Sequence, residues 1–209
     1  MLLFDFDGTI ADSLSIALEI ANEVGPVLGM EKMDETRMKK LKSLSLSEIM
    51  KETGLAWHQL PKAALLGRAA FKRNMHKVKP IAGMPQLLHK LKAQDIRMGI
   101  LTSNTRSTVQ AFLKTHEIEV FDFIDAPRNV MGKATAMRRI LGREGFSAQN
   151  VTMIGDEVRD IEAAKACGLR SIAVGWGLNS VERLKEAQPE AMVVTVVELE
   201  EKIQKYLFL

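Results

Sequence analysis

Hydrophobic spacing along this chain divides it into three stretches. Met1-Leu2-Leu3-Phe4 is uniformly apolar and ends abruptly in Asp5, Phe6, Asp7 and Gly8, the pattern of a buried strand breaking into a loop. From residue 12 to 79 only helical periodicity is visible. Leu14, Ile16, Leu18, Ile20, Val24, Val27 and Leu28 predict one helix that stops at Gly29. Shorter helices fit 35–42, 47–52 (with Ser45 or Ser47 as cap) and 58–77, with Gly54 and Pro61 as punctuation. From Pro80 onward, helices at 84–93, 105–115, 133–142, 158–166, 180–187 and 197–206 alternate with strands at 97–101, 123–125, 151–154, 171–174 and 192–194.

Alternation of this kind implies right-handed crossovers and a mainly parallel sheet covered on both faces. The first strand then belongs to the later sheet, and the helical block is inserted into it. The predicted architecture is α/β, a doubly wound Rossmann-like core formed by 1–11 and 80–209, with an all-helical insertion at 12–79.

Composition narrows the class. The chain has 209 residues and is 46% hydrophobic, enough to bury a real core. No apolar run reaches the roughly 18 residues of a membrane span. With a core strand starting at Leu2, no targeting segment is expected. Cys167 is the single cysteine, which excludes an internal disulfide and fits a reducing cytoplasm. His58, His76, His89 and His116 lie far apart, without metal-ligand spacing.

The net charge of +3 is unevenly spread: residues 11–80 hold 12 Lys/Arg against 8 Asp/Glu, the remainder 17 against 18. Arg68, Lys72, Arg73, Lys77 and Lys79 carry much of the excess. A solvated helix face accounts for them, and a mildly basic lid steering a phosphorylated substrate would use the same charges. No aromatic residues interleave them in a nucleic-acid-binding pattern, so no nucleic-acid partner is expected.

The polar ends of the strands hold the candidate chemistry. Along an extended backbone Asp5 and Asp7 share a face, and two carboxylates there repel unless a proton or a cation sits between them; a hard ion such as Mg²⁺ suits them. Gly8 would let the chain turn and Thr9 would tie the loop. The plain alternative is a strand followed by an acidic turn. Strand 97–101 runs into Thr102-Ser103-Asn104, and strand 151–154 into Gly155-Asp156-Glu157-Val158-Arg159-Asp160. In a parallel sheet all these carboxyl ends share one edge, where ligands bind in open α/β folds. Taken singly, Thr102 and Ser103 also read as helix caps, and Asp156, Glu157 and Asp160 as an N-cap and first-turn acids. Lys133 differs, because it opens a helix where the dipole disfavours a cation, and so it calls for a partner anion.

Taken together, Asp5-Phe6-Asp7-Gly8-Thr9, Thr102-Ser103-Asn104, Lys133 and the stretch 155–160 resemble the four motifs of the haloacid dehalogenase superfamily. The likeness is to its phosphoglycolate-phosphatase-like hydrolases, with a helical cap inserted after the first motif. The resemblance implies that Asp5 is the nucleophile and Asp7 the general acid and base. It implies Mg²⁺ held by Asp5, the Asp7 backbone carbonyl and Asp156. Thr102, the Ser103 N–H and Lys133 would hold phosphoryl oxygens, and Asp160 would orient metal waters or Lys133. Asn104 joins the substrate-binding candidates, as does Lys42 in the cap.

The sequence departs from the pattern at Ala134, where many relatives carry proline after the lysine. Arg138 and Arg139 are poorer substitutes for Lys133, lying more than one turn into the helix. Trp176, between Gly175 and Gly177, reads as rim or as packing. The resulting expectation is a Mg²⁺-dependent phosphatase acting on a small phosphorylated metabolite, with no membrane partner. A phosphosugar mutase and a catalytically silent binding protein share the scaffold; a metal-free dehalogenase is disfavoured by Asp7 and Asp156.

Overall fold

The computed structural model describes residues 1–127 and 132–207. Strand β1 (Leu2–Phe4) opens the chain, and four helices follow: α1 (Ala17–Val24), α2 (Glu35–Leu41), α3 (Leu46–Thr53) and α4 (Leu60–Asn74). Then come α5 (Met84–Ala93), β2 (Met98–Leu101), α6 (Arg106–Thr115), β3 (Phe123–Asp125), α7 (Lys133–Glu144), β4 (Thr152–Gly155), α8 (Val158–Ala166), β5 (Arg170–Val174), α9 (Val181–Glu186), β6 (Ala191–Val193) and α10 (Val196–Leu207). Contacts divide the chain into two compact units, Met1–Asp12 with Lys79–Leu209, and Ser13–Val78.

In the first unit the strands form one sheet in the order β3-β2-β1-β4-β5-β6, each neighbouring pair parallel. The α/β parallel architecture expected from the alternating pattern is the one observed. Successive residues Leu2, Leu3 and Phe4 are all buried, so both faces of the central strand are covered, as an uninterrupted apolar run requires. Leu3 packs with Ala136, Met137 and Ile140 of α7 and Ala163 and Ala164 of α8. Phe4 meets Phe121 edge to face at 5.9 Å, and Phe6 meets Phe112 at 5.1 Å. Where the chain leaves and re-enters this unit, Ala11 bridges Pro80 and the Asp12 N–H donates to the Lys79 carbonyl at 2.8 Å.

The second unit is helical throughout its regular structure. The single helix expected to run to Leu28 is three pieces: a 3₁₀ turn at Ser13–Ile16, α1, and a second 3₁₀ turn at Gly25–Leu28. Pro26 explains the break, since its ring and missing N–H cannot continue an α-helix. Ser45 caps α3 in a reciprocal box with Glu48, and Gly54 ends that helix in the left-handed conformation. Two of the basic residues singled out by charge are paired inside this unit, Arg73 with Glu23 and Lys77 with Glu19. Among the described residues no helix is long and apolar enough to cross a membrane.

Candidate active site

Parallel pairing with β2 and β4 puts the carboxyl end of β1 between theirs, which is why Asp5, Thr102 and Asp156 meet. All three are buried polar residues, as are Lys133 and Asp160. Buried charges survive only when paired or hydrogen-bonded. Lys133, at the first position of α7, supplies the pairing: its Nζ lies 2.8 Å from Asp5 Oδ2 and also bonds Asp160 Oδ1. Burial alone would push the lysine's pKa down; the carboxylates of Asp160 and Asp5 outweigh it and hold the ammonium above the usual lysine range.

Asp156 is held from both sides. Its Oδ1 accepts the Thr9 hydroxyl at 2.7 Å and its Oδ2 accepts the Leu178 N–H at 2.7 Å. Two glycines make room. A Cβ on Gly8, whose φ is +74°, would fall 2.3 Å from Asp156 Oδ2, and one on Gly177 would fall 2.1 Å from Asp156 Cβ. Gly8 therefore serves both the turn and the close approach. Burial, then the charge of Asp5, raises the Asp156 carboxyl well above its ordinary range.

Asp7 is partly buried, and its carboxylate accepts Asn104 Nδ2 at 3.2 Å. Burial and the neighbouring Asp5 charge push its pKa up to about 7, with the Asn104 bond pulling the other way. Thr102 is buried, and its Oγ1 accepts the Asn104 N–H at 3.0 Å. Capping of α6 falls to Thr105, which accepts the Thr108 N–H, so Thr102 is not the helix cap. Asp156 is likewise not a cap; Glu157 occupies that position on α8, in a reciprocal box with Asp160. Ser103 follows Thr102 and is half-buried. Lys42 lies in the helical unit, directly after α2.

Carboxylate oxygens of Asp5, Asp156 and Asp160 lie within 4.8 Å of one another. An all-oxygen set of three buried carboxylates, with Lys133 the cation paired to two of them, fits a hard divalent cation. The set read from the sequence was Asp5, Asp156 and the backbone carbonyl of Asp7. In the structure the third side-chain oxygen of the cluster is that of Asp160, which Lys133 also engages.

Several supporting contacts escaped the sequence reading. Trp176 donates its indole N–H to the Thr9 carbonyl at 3.3 Å, and the Asn179 side chain accepts the Val158 N–H at 2.9 Å. The loop after β5 thus braces the Asp156 loop, a role only hinted at by its two glycines. Asn104, a substrate-binding candidate from the sequence, also bonds the Asp7 carboxylate.

Haloacid dehalogenase-like hydrolases as a family match residues 2–174. A phosphoglycolate phosphatase of Synechococcus elongatus is 34% identical over 204 residues, spanning 95% of this chain and 94% of that protein. A 5'-nucleotidase of Pseudomonas aeruginosa is 23% identical over 216 residues, spanning 98% and 96%. A solved structure from Clostridium acetobutylicum, described as a predicted phosphatase, superposes with a TM-score of 0.83 at 25% identity, covering 98% of this chain and 97% of that one. With a family match across most of its length and a full-length relative above 30% identity, the chain belongs to the haloacid dehalogenase-like hydrolases.

Proposed function

We propose that this chain is a Mg²⁺-dependent phosphatase that hydrolyses a small phosphate monoester through an aspartyl-phosphate. The observation that carries the reading is the buried Lys133–Asp5 pair, 2.8 Å apart within a cluster of carboxylates at the end of β1. Asp5 and Asp156, with the Asp7 carbonyl, would hold the cation. Bound Mg²⁺ would neutralise charge on the phosphoryl oxygens, which a carboxylate nucleophile otherwise finds repulsive.

An Asp5 carboxylate oxygen attacks phosphorus in line, and the ester P–O bond breaks as the new one forms. Asp7, whose raised pKa keeps a proton available near neutrality, protonates the departing alkoxide. The same carboxylate, now ionised, takes a proton from the water that attacks the acyl-phosphate. Inorganic phosphate leaves and Asp5 is restored. Lys133, Thr102 and the Ser103 N–H bind the phosphoryl oxygens, while Asp160 orients the lysine.

Leaving-group contacts are assigned to the helical unit Ser13–Val78 acting as a cap, with Lys42 as its candidate. Phosphoglycolate heads the substrate panel on the strength of the Synechococcus relative. The lone Cys167 fits a reducing cytoplasm. Phosphate release from a panel of esters, with and without Mg²⁺, tests the proposal beside Asp5→Asn. The parent is expected to release phosphate only with the cation, and the variant to be silent while folded. Equal rates in the two proteins would remove Asp5 as nucleophile.

A further inference from the structure

Beside the site, Glu157 and Arg159 form an ion pair to which no step above gives work. Arg159 Nη2 lies 2.5 Å from Glu157 Oε1, with side chains 34% and 16% exposed. The Arg159 Nε is shielded from solvent and has no hydrogen-bond acceptor. A guanidinium that leaves a shielded N–H unmatched is poorly explained by hydrogen bonding alone, and charge is the term left to account for its place. Glu157 directly follows Asp156, and its N–H donates to Asp160 Oδ2 at 3.2 Å. Against the acids Asp5, Asp7, Asp156, Glu157 and Asp160 stand the cations Lys133 and Arg159. The Glu157 charge helps raise the carboxyls of Asp7 and Asp156.

We infer that Arg159 is a positioning residue that cancels the charge of Glu157, and that the pair thereby sets the balance between cation and phosphate affinity at the site. The inference rests on the phosphatase reading. A bare carboxylate at residue 157 attracts a divalent cation and repels a phosphate dianion. One unit charge several ångströms away in partly solvated protein changes either affinity by about three- to tenfold.

The test is calorimetric, with MgCl₂ alone and then with inorganic phosphate at saturating Mg²⁺. Arg159→Gln is expected to bind Mg²⁺ about three- to tenfold more tightly and phosphate more weakly by a similar factor. Glu157→Gln should move both affinities the opposite way, the double variant should return near the parent, and Arg159→Lys should resemble it. These opposed signs separate charge balance from structural damage, which weakens both ligands. Should Arg159→Gln not fold, Glu157→Gln carries the same test. Loss of both affinities in Arg159→Gln, or a double variant no nearer the parent than the single, overturns the pair's role. A parent that binds neither Mg²⁺ nor phosphate sinks the phosphatase reading and this inference with it.

Discussion

Lys133 Nζ and Asp5 Oδ2 lie 2.8 Å apart, both side chains almost wholly withdrawn from water. The lysine comes from the first turn of α7 and the aspartate from the loop after β1, so the pair ties two distant pieces of chain together. Removing one partner leaves the others as uncompensated buried charge. Lys133→Met is therefore expected to destabilise the metal-free protein by about 3 kcal/mol or more at pH 8. Urea unfolding measures it; a loss under about 1 kcal/mol would show that the pair carries little net stability.

Asp7 and Asp156 both have raised carboxyl pKa values, Asp7 near 7. An acid with a higher pKa folded than unfolded binds more protons in the native state between those values. Its stabilising contribution is complete below the unfolded pKa, near 4, and is lost as pH rises through about 7. Without divalent cations, the melting temperature should fall from pH 5 to pH 8. Mg²⁺ should raise it more at pH 8, where it meets carboxylates rather than acids. Differential scanning fluorimetry across that range decides; a metal-free curve rising toward pH 8 would refute the expectation.

Gly177 and Gly142 make opposite forecasts from the same substitution. A methyl on Gly177 collides with Asp156 Cβ at 2.1 Å, whereas one on Gly142, inside α7, meets nothing within 4 Å. Gly177→Ala should cost about 1–3 kcal/mol through overpacking and weaken Mg²⁺ binding. Gly142→Ala should stabilise by about 0.5–1 kcal/mol through helix propensity and leave the cation affinity alone. Chemical denaturation and Mg²⁺ titration of both variants supply the comparison.

Asn104 bonds the Asp7 carboxylate at 3.2 Å, which gives it a way to aim the proton donor. Asn104→Ala should lower kcat about tenfold with KM nearly unchanged, a fraction of the roughly 10²–10⁴-fold that a positioned acid–base group supplies, because Asp7 itself stays in place. A rise in KM at constant kcat would return Asn104 to the substrate. Steady-state kinetics on one ester distinguishes the outcomes.

Much of the fold was legible beforehand because helix and strand imprint short periods on the residues that form them. The uninterrupted apolar run before Asp5 announced a strand covered on both faces, and β–α alternation after Pro80 announced a parallel sheet. Pro26 was passed over because apolar periodicity continued to Leu28, while the ring's steric demand overrode it. Arg73 and Lys77 looked like a free basic surface, since the acids that pair with them sit 50 and 58 residues earlier.

Local order of apolar and polar residues, then, determined which segments are strands, which are helices, and which polar residues stand at strand ends. Tertiary structure alone decided the order of the strands and the partners of each buried charge. Thr9 reaches Asp156 across 147 residues, Asn104 reaches Asp7 across 97, and Leu178 offers a backbone N–H indifferent to its side chain. Contacts of that separation leave no period in the sequence, because nothing joins their members until the sheet brings the strand ends together.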